Sequence, residues 1–448
     1  SGVGFASNAL INSLTAATTQ TIISDELSEY NYSALFGRVN LNFKERYIVN
    51  LTGRRDGSSR FGPGNRFANF GAVGAAWLFS KEAWFNEGQT TLSFGKIRAS
   101  YGITGNDQIG DYQYLDTYQV TPNIYDGVTG LAPSRLFNPN FGWETNKKFE
   151  AAIDLGFIND RITMTAAYFR NESSNQLVGV PLPSITGFTS IQANLDATVQ
   201  NTGWEFEWRS VNLRNDNFNW TTTANITIPQ NKLLEFPDLE GSTYQNLFVI
   251  GESLNVQQLY HYTGIDPQTG FYTFQDYNDD GQLNQADRKS IKDTSPQYFG
   301  GLTNELRYKN WTFDFLFQFV KQESYNAVSR FPVAGTFNNQ PVAVLSHFPQ
   351  DTTGGAVQQY ATGNNPAAAE AQGRYLRSDA AITVASFARL KSLSLSYAIP
   401  AKSITAKVYL QGQNLLTFTK YKGADPENQS IYSLPPLRQL TLGIQLSF

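Results

Sequence analysis

The stretch LRQLTLGIQLSF, residues 437–448, decides how the chain is interpreted. From Leu440 to Phe448 every second residue is apolar, and the residues between them are polar or glycine. This period of two is that of a β-strand with one apolar and one polar face. In a soluble sandwich the apolar face would pack on a second sheet. In an outer-membrane barrel it would contact lipid, and the polar face would line the lumen.

The composition favours the barrel. Charged residues make up 16% of the 448 residues, compared with about 25% in soluble domains, and aromatic residues make up 14%. Mean hydropathy is −0.35, and the sequence has no apolar run of about 18 residues, which excludes transmembrane helices. Alternating strands hide their lipid-facing residues from such averages, so this hydropathy is compatible with a barrel.

Charge and cysteine content exclude several functions. The net charge of −4 offers no basic surface for nucleic acid. The absence of cysteine excludes disulfides, thiolate metal sites and cysteine nucleophiles. The chain starts at Ser1, without methionine or a signal sequence, so we expect a processed product or a fragment.

The same alternation recurs along the chain and predicts strands throughout it. A weak strand is predicted within residues 5–14, which are poorly patterned. The clear strands are predicted near 32–43, 47–56, 67–79, 92–104, 144–157, 161–173, 198–213, 217–228, 297–309, 311–322, 382–399, 403–416 and 437–448. With the weak strand this makes about 14.

Short and long connections alternate between these strands. The short ones are 44–46, 80–91, 157–160, 213–217, 309–310 and 400–402. The long ones are 57–66, 105–143, 174–197, 231–296, 321–381 and 417–436. This order places every long loop at one end of the sheet, as in an outer-membrane barrel with short periplasmic turns and long extracellular loops. We therefore predict an all-β, transmembrane antiparallel β-barrel that crosses the cell outer membrane many times and contacts its lipid.

Several motifs resemble those of SusC/RagA-type TonB-dependent transporters of Bacteroidota, and they occur in the family's order from about residue 33 to 448. They are RRDGSSRFG (54–62), IRASYG with TGN (97–102 and 104–106), WET (143–145), Pro183 with TGF (186–188), NTGWE (201–205), RLK (389–391), GQNL (412–415), YKG (421–423) and DPE (425–427).

The resemblance implies an energised importer with a barrel of about 22 strands around an N-terminal plug. It also implies a SusD-like lipoprotein partner and energy from a TonB–ExbB–ExbD complex. The plug, the TonB box and the N-terminal strands are missing here, so residues 1–448 are expected to be the C-terminal part of the barrel. The missing part either lies elsewhere or is absent, which would leave a smaller assembly. We favour the first, because an open sheet edge would expose unpaired backbone groups to lipid.

Residues 276–287, DYNDDGQLNQAD, fit the spacing of an EF-hand calcium loop, in which several oxygens converge on Ca²⁺ at about 2.3–2.6 Å. The final position is aspartate rather than the usual glutamate, and no helix pair flanks the loop. We therefore predict a structural Ca²⁺ clamp; the alternative is an exposed acidic turn without an ion. The candidate ligands are Asp276, Asn278, Asp280, Gln282 through its carbonyl, and Asp287.

No catalytic constellation is recognisable, so we predict that the chain is not an enzyme. Its two histidines, His261 and His347, lie in predicted long loops without a partner pattern. Glu205 and Glu207 alternate with aromatic residues along one strand and are assigned to a hydrated lumen wall.

The predicted function is outer-membrane import of oligosaccharides or peptides. The alternative is a SusC-like barrel that transports nothing and anchors surface lipoproteins or an envelope assembly complex; a surface enzyme is a distant third. Aromatic and amide residues of the long loops are the candidates for nutrient binding, although solvated loop residues would have the same composition. They are Tyr112, Tyr114, Tyr118, Asn338, Asn339 and Gln340.

Overall fold

The computed structural model describes residues 1–21, 28–85, 91–326, 331–346, 357–400, 405–429 and 433–447. One antiparallel sheet of 13 strands dominates them, and each strand pairs with the next one along the chain. The strands are β1 Tyr32–Phe43, β2 Tyr47–Ser58, β3 Phe67–Trp77, β4 Leu92–Asn106, β5 Glu144–Phe157, β6 Ile162–Ser174, β7 Thr198–Arg214, β8 Phe218–Glu235, β9 Tyr298–Tyr308, β10 Trp311–Lys321, β11 Phe387–Ile399, β12 Thr405–Thr419 and β13 Gln439–Ser447.

The strand register builds one apolar face. Ile226, Phe206, Ala166 and Ile153 lie opposite one another on β8, β7, β6 and β5. Because side chains alternate between the faces of a strand, a register that aligns apolar with apolar residues keeps the whole face apolar.

The adjacent row of the same four strands is polar. Asn225, Glu207, Thr165 and Asp154 lie opposite one another, and the hydroxyl of Thr165 donates to Asp154 over 3.0 Å. Glu207 therefore belongs to the polar face, as predicted for a lumen wall.

The apolar face is not covered by the described residues. On β13, Leu440, Leu442 and Ile444 remain 74%, 76% and 67% exposed. An apolar surface that extends over a whole sheet is unstable in water and is typical of the lipid-facing side of a barrel.

Short turns and long loops alternate along the sheet as predicted. The turn between β1 and β2 is made by 44–46, where Lys44 and Glu45 have φ of 54° and 56°. This left-handed backbone matches the twist of the flanking strands. The long loops join the opposite strand ends and include 107–143, 236–297 and 322–386.

The weak strand predicted within 5–14 is wrong, so the sheet has 13 strands among the described residues instead of about 14. Asn8–Leu10 and Leu14–Ala16 form 3₁₀ turns there. The hydroxyl of Ser7 accepts a hydrogen bond from the backbone of Ala9 and starts the first turn. Serine and threonine caps of this kind compete with strand pairing.

The long loops carry structure of their own, which the sequence analysis did not predict. Helix α1 is Pro366–Tyr375, with Asn365 as its N-cap. Short strands are Gly2–Val3, Thr19–Gln20, Thr117–Tyr125, Val128–Arg135, Gln176–Pro181, Ser190–Leu195, Val256–Leu259, Tyr262–Ile265, Tyr272–Phe274, Ser290–Asp293, Glu323–Tyr325 and Ile382–Val384. Further 3₁₀ turns are Phe79–Lys81, Ser184–Thr186, Gln285–Asp287, Val342–Leu345 and Asp379–Ala381.

The outer strands, β1 and β13, each pair with a single strand of the described sheet, so the barrel does not close within the described residues. Among those residues, no helix is both long enough and apolar enough to cross a membrane.

Candidate functional site

The two longest loops, 236–297 and 322–386, fold together at the long-loop end of the sheet. Their shared aromatic loop core consists of Tyr260, Tyr262, Tyr272, Phe274 and Tyr375. The rings of Tyr272 and Tyr375 stack with their centroids 4.3 Å apart, which joins the first loop to helix α1. Burial of aromatic area on this scale gives both loops a defined shape.

Burial stabilises the neutral form of three hydroxyls in this core. Burial raises the pKa of Tyr262 to about 12 and also raises the pKa of Tyr272 and Tyr375. All three are therefore neutral at physiological pH, and the core acts through shape and packing.

The acidic loop 276–287 is attached to this core. Leu283 packs against it, and the guanidinium of Arg374 on α1 donates to the carbonyl of Leu283 over 3.3 Å. The loop's conformation is thus fixed by the same packing that joins the two long loops.

The carboxylates of the acidic loop are held by backbone N–H groups. Asp276 Oδ2 accepts from Gly281 over 2.9 Å, and Asp280 Oδ1 accepts from Gln282 over 2.7 Å. Gly281 has φ +74°, a backbone conformation that favours glycine. The chain therefore makes the turn that the EF-hand spacing predicts at this position.

Asp287 is fully buried at the end of the loop. Its carboxylate accepts hydrogen bonds from the backbone of Asn284 over 2.8 Å and of Tyr277 over 2.9 Å. These donors lower the pKa of Asp287, because they stabilise its charged form. Across the described ranges, no cation pairs with this buried, ionised carboxylate, which is therefore a suitable calcium ligand.

One oxygen in this loop lacks a partner among the described residues. Asp276 Oδ1 is buried and accepts no hydrogen bond from them, and a hard cation would satisfy it. In the described part of the chain, however, no three Asp, Glu or His side chains converge closely enough to form a metal site. The residue types fit calcium, and binding itself stays a prediction.

The three predicted ligand-binding tyrosines have different environments. Tyr114 is 7% exposed and packs in a cluster with Phe61 and Phe141, which counts against contact of its ring with a ligand. The hydroxyl of Tyr112 accepts from the backbone of Glu29 over 3.1 Å. Tyr118 is 62% exposed and accessible to a ligand.

The predicted amide residues lie in a separate loop, 322–386. Asn338 and Asn339 are exposed. Gln340 is half-buried. Its amide nitrogen donates to the hydroxyl of Thr336 over 3.2 Å, while its buried Oε1 has no partner among the residues that the structure describes. The tyrosines and amides therefore do not form one compact cluster, and their role in nutrient binding stays a prediction.

The motif at 54–62 fastens loop 107–143 to the sheet. Arg60 Nε pairs with Asp111 at 2.9 Å, and the fully buried Phe61 packs its ring on those of Phe141 and Trp143. We call these residues, with Tyr114, the amino-terminal clamp.

The motifs at 389–391 and 425–427 meet in space. Arg389 is 1% exposed, and its guanidinium pairs with Asp425 and, at 2.5 Å, with Glu427. Lys391 Nζ pairs with Glu427 at 2.8 Å. We call these four residues the carboxy-terminal clamp. Sequence reasoning missed it, although two motifs of opposite charge were a signal for it.

The polar face of the sheet carries paired charges. Arg98 pairs with Glu150, and its Nε lies 3.5 Å from Asp154 Oδ2. The same oxygen of Asp154 lies 3.6 Å from Lys96 Nζ. Glu205 and Glu150 line one pocket of about 380 Å³ on this face. Paired charges suit a hydrated wall that solutes pass.

The one described histidine does not form a nucleophilic triad. His261 Nδ1 lies 2.7 Å from Asp379 Oδ2, and the hydroxyl of Ser290 donates to the same carboxylate oxygen over 3.2 Å. In a triad the serine would contact the histidine, whereas here Asp379 separates them. His347 lies outside the described residues.

These features define one class of protein: the barrel portion of a membrane transporter or receptor, with folded loops at one end. Comparison with known proteins is specific about the family. The model of the family "TonB dependent receptor-like, beta-barrel" matches residues 3–415. The TonB-dependent receptor P3 of Formosa agariphila is 30% identical over 95% of this chain and 46% of that protein. The TonB-dependent receptor SusC of Bacteroides thetaiotaomicron is 29% identical over 92% of this chain and 43% of that protein.

The chain is also similar to a solved structure, described as the RagAB peptide transporter, with a TM-score of 0.82 and 27% identity. That match covers 99% of this chain and 51% of the other. The chain belongs to the TonB-dependent receptor β-barrel family and is similar to SusC and to the RagAB transporter. It spans about half the length of the relatives it matches.

Proposed function

We propose that this chain is the C-terminal barrel portion of an importer of oligopeptides or oligosaccharides that crosses the outer membrane many times. One observation carries the proposal. The 13-stranded sheet is apolar on one face and bears paired charges on the other, with the long loops folded at one end. In this proposal the plug and the remaining strands come from residues outside this sequence, and those strands pair with β1 and β13.

The paired charges of the polar face would keep the lumen wall hydrated while the plug moves. Arg98 and Asp154 satisfy each other without a solute, so the wall does not bind one cargo charge tightly. Such a wall lets polar solutes pass. The structure whose description names a peptide transporter covers 99% of this chain, which supports oligopeptides over oligosaccharides.

The long loops would form the mouth and dock a SusD-like lipoprotein. Phe337 and Val342 project from loop 322–386, and both are essentially exposed. Contiguous apolar patches mark docking surfaces, and in this proposal both residues belong to one such patch. Energy would come from a TonB–ExbB–ExbD complex acting on the plug.

Uptake by cells that carry the complete protein tests this proposal. Fluorescent oligopeptides and oligosaccharides are offered to cells with and without a functional TonB complex. We expect TonB-dependent entry of one class, lost when the gene is deleted. Entry of neither class, together with loss of lipoproteins from the cell surface on deletion, would favour the scaffold instead.

We also propose that loop 276–287 binds a structural Ca²⁺. The unpartnered oxygen of Asp276 and the buried carboxylate of Asp287 support it. The ion would stiffen the loop that packs on the aromatic loop core, and so would hold the mouth in shape.

Calcium titration of protease protection tests this site. Chelation and Asp276→Asn should both raise cleavage within 276–287. Asp279→Asn is the matched control, because Asp279 is exposed in the same loop and occupies no ligand position. If neither the chelator nor Asp276→Asn changes the rate of cleavage within 276–287, the loop does not bind a structural Ca²⁺.

A further inference from the structure

A slot opens on the apolar face of the sheet where β10, β11 and β12 reach the long-loop end. It encloses about 920 Å³, and its lining includes Tyr298, Phe319, Phe418, Lys321 and Lys420. Neither the proposed import path nor the clamps use this surface, because it lies on the face opposite the lumen charges.

The floor of the slot is set by the strand register. Phe319 on β10 lies opposite Ala388 on β11, which lies opposite Phe418 on β12. Neighbouring strands are about 4.8 Å apart, so the two phenylalanines stand about 10 Å apart with only a methyl group between them. A gap of this width between aromatic walls suits an acyl chain.

Two lysines flank the open end of the slot. Lys321 follows Phe319 by two residues on the same face, and its ammonium lies 5.8 Å from the ring centroid of Tyr298. Lys420 is exposed, lies directly after the end of β12 and lines the same slot. Among the described residues, no carboxylate forms an ion pair with either lysine. Two lysines that line one slot without a carboxylate partner among the described residues favour an anion between them.

The lysines lie at the level of a membrane surface. On the same strand, Trp311 packs on Tyr397 with ring centroids 4.8 Å apart and marks the short-turn boundary. From Trp311 to Phe319 the strand rises ~27 Å, close to the apolar band of about 25 Å between the aromatic girdles of an outer-membrane barrel. Lys321 and Lys420 thus lie just beyond the band, on the long-loop side.

We propose that this slot binds a phosphorylated acyl lipid of the outer leaflet. One acyl chain lies between Phe319 and Phe418, and the phosphate lies between Lys321 and Lys420. Basic residues at the membrane surface attract anionic lipid headgroups in this way. The inference rests on the outer-membrane placement given under the proposed function, and it adds a lipid ligand that import does not require.

The short-turn end supplies a matched control. Lys44 lies 5.2 Å from the ring centroid of Phe43, and Lys309 lies 5.6 Å from that of Tyr308. These are also lysines beside aromatic rings at a boundary of the sheet, but they lie at the opposite end from the slot. Removing them changes the net charge equally.

Lipid retention by the complete protein, extracted from its outer membrane in mild detergent, tests the proposal by native mass spectrometry. The added probe is monophosphoryl lipid A. The double variant Lys321→Gln/Lys420→Gln should retain about 30-fold less of it, from two lysines at the membrane surface. The double variant Lys44→Gln/Lys309→Gln should retain it like the wild type. Ala388→Trp, which fills the gap and keeps both lysines, should also lose the lipid.

Equal retention by both double variants would overturn the proposal. Inorganic phosphate is the second probe: displacement of the lipid by phosphate alone, with no effect of Ala388→Trp, would identify a phosphate site and reject the acyl slot. Folding is followed by heat-modifiable migration, and import by peptide uptake. A variant that folds and imports but retains lipid A unchanged contradicts only this inference. A wild-type protein absent from the outer membrane contradicts the proposed function instead.

Discussion

Each clamp fastens a loop to the sheet, but the ion pair is partly exposed in one clamp and buried in the other. This difference in exposure predicts which substitution will weaken each clamp most. In the amino-terminal clamp, the side chains of Arg60 and Asp111 are 22% and 19% exposed. In the carboxy-terminal clamp, those of Arg389 and Asp425 are 2% and 4% exposed. Because water screens the first ion pair, it contributes little, and the buried aromatic side chains of that clamp hold the loop. The second pair has lost its water, so each charge depends on the other.

Removing the arginine of the carboxy-terminal clamp should have the largest effect. Arg389→Met leaves Asp425 buried without a cation, which costs about 3–5 kcal/mol of local stability. We expect strongly increased protease cleavage of 420–429, with the sheet still folded. Urea titration of loop protection measures the cost.

The triple variant Arg389→Met/Asp425→Leu/Glu427→Gln is the control, because it also removes the stranded charges. If the triple variant regains much of the local stability that Arg389→Met loses, burial of an unpaired charge is the cause of that loss. If Arg389→Met alone costs less than about 1 kcal/mol, the pair behaves as a surface pair, and the contrast between the clamps fails.

Truncation of the buried aromatic side chain should have the next largest effect. Phe61→Ala empties a fully buried position between Phe141 and Trp143, at a cost of about 3 kcal/mol. Hydrogen exchange of the backbone of 107–143 measures it. Phe67→Ala is the control. Phe67 lies on β3, the strand that pairs with the motif at 54–62, and its side chain is 56% exposed. Similar exchange in both variants would show that the cluster does not hold the loop.

Loss of the partly exposed arginine, Arg60, should matter least among the substitutions. Arg60→Gln removes a partly exposed ion pair, at a cost of about 0.5–1 kcal/mol. The same exchange measurement should therefore show a small change that shrinks further at high salt. A loss as large as that of Phe61→Ala would mean that ion pairing holds this clamp.

Acid should weaken the amino-terminal clamp slightly. The hydrogen bond from Arg60 lowers the pKa of Asp111 below its ordinary value of 3.8. A carboxylate whose pKa is lowered by folding adds stability above its unfolded pKa and loses it as pH falls through the folded value. Protection of 107–143 should thus fall below about pH 3.8, and Asp111→Asn should flatten this part of the curve. An unchanged pH profile in Asp111→Asn would assign the acid effect to another carboxylate.

The sheet was largely predictable because its signal is local. A period of two in Leu440, Leu442 and Ile444 needs only neighbours in sequence, and the order of short and long connections fixes which strand ends share a side. The failure at 5–14 has a local cause too, since Ser7 caps a 3₁₀ turn where no strong alternation opposes it.

The candidate sites were less predictable, because side-chain burial depends on contacts far along the chain. Tyr114 and Tyr118 look alike in sequence and belong to the same loop, yet Tyr114 is buried against Phe61 and Phe141 whereas Tyr118 faces solvent. Residue spacing alone predicted Asp276 and Asp287 as calcium ligands, because an EF-hand loop supplies its oxygen ligands from one short segment.

The sequence by itself determined the all-β class, the strand order, the two faces of the sheet and the family, since each follows from local pattern or from motifs in order. Only the tertiary structure decided that Arg389 meets Asp425 and that Phe319 and Phe418 flank Ala388. The physical reason is the distance along the chain over which each interaction acts. Alternation and turn chemistry act over a few residues, whereas a buried ion pair or a slot between two aromatic rings depends on the register between strands and on how far a long loop returns to the sheet.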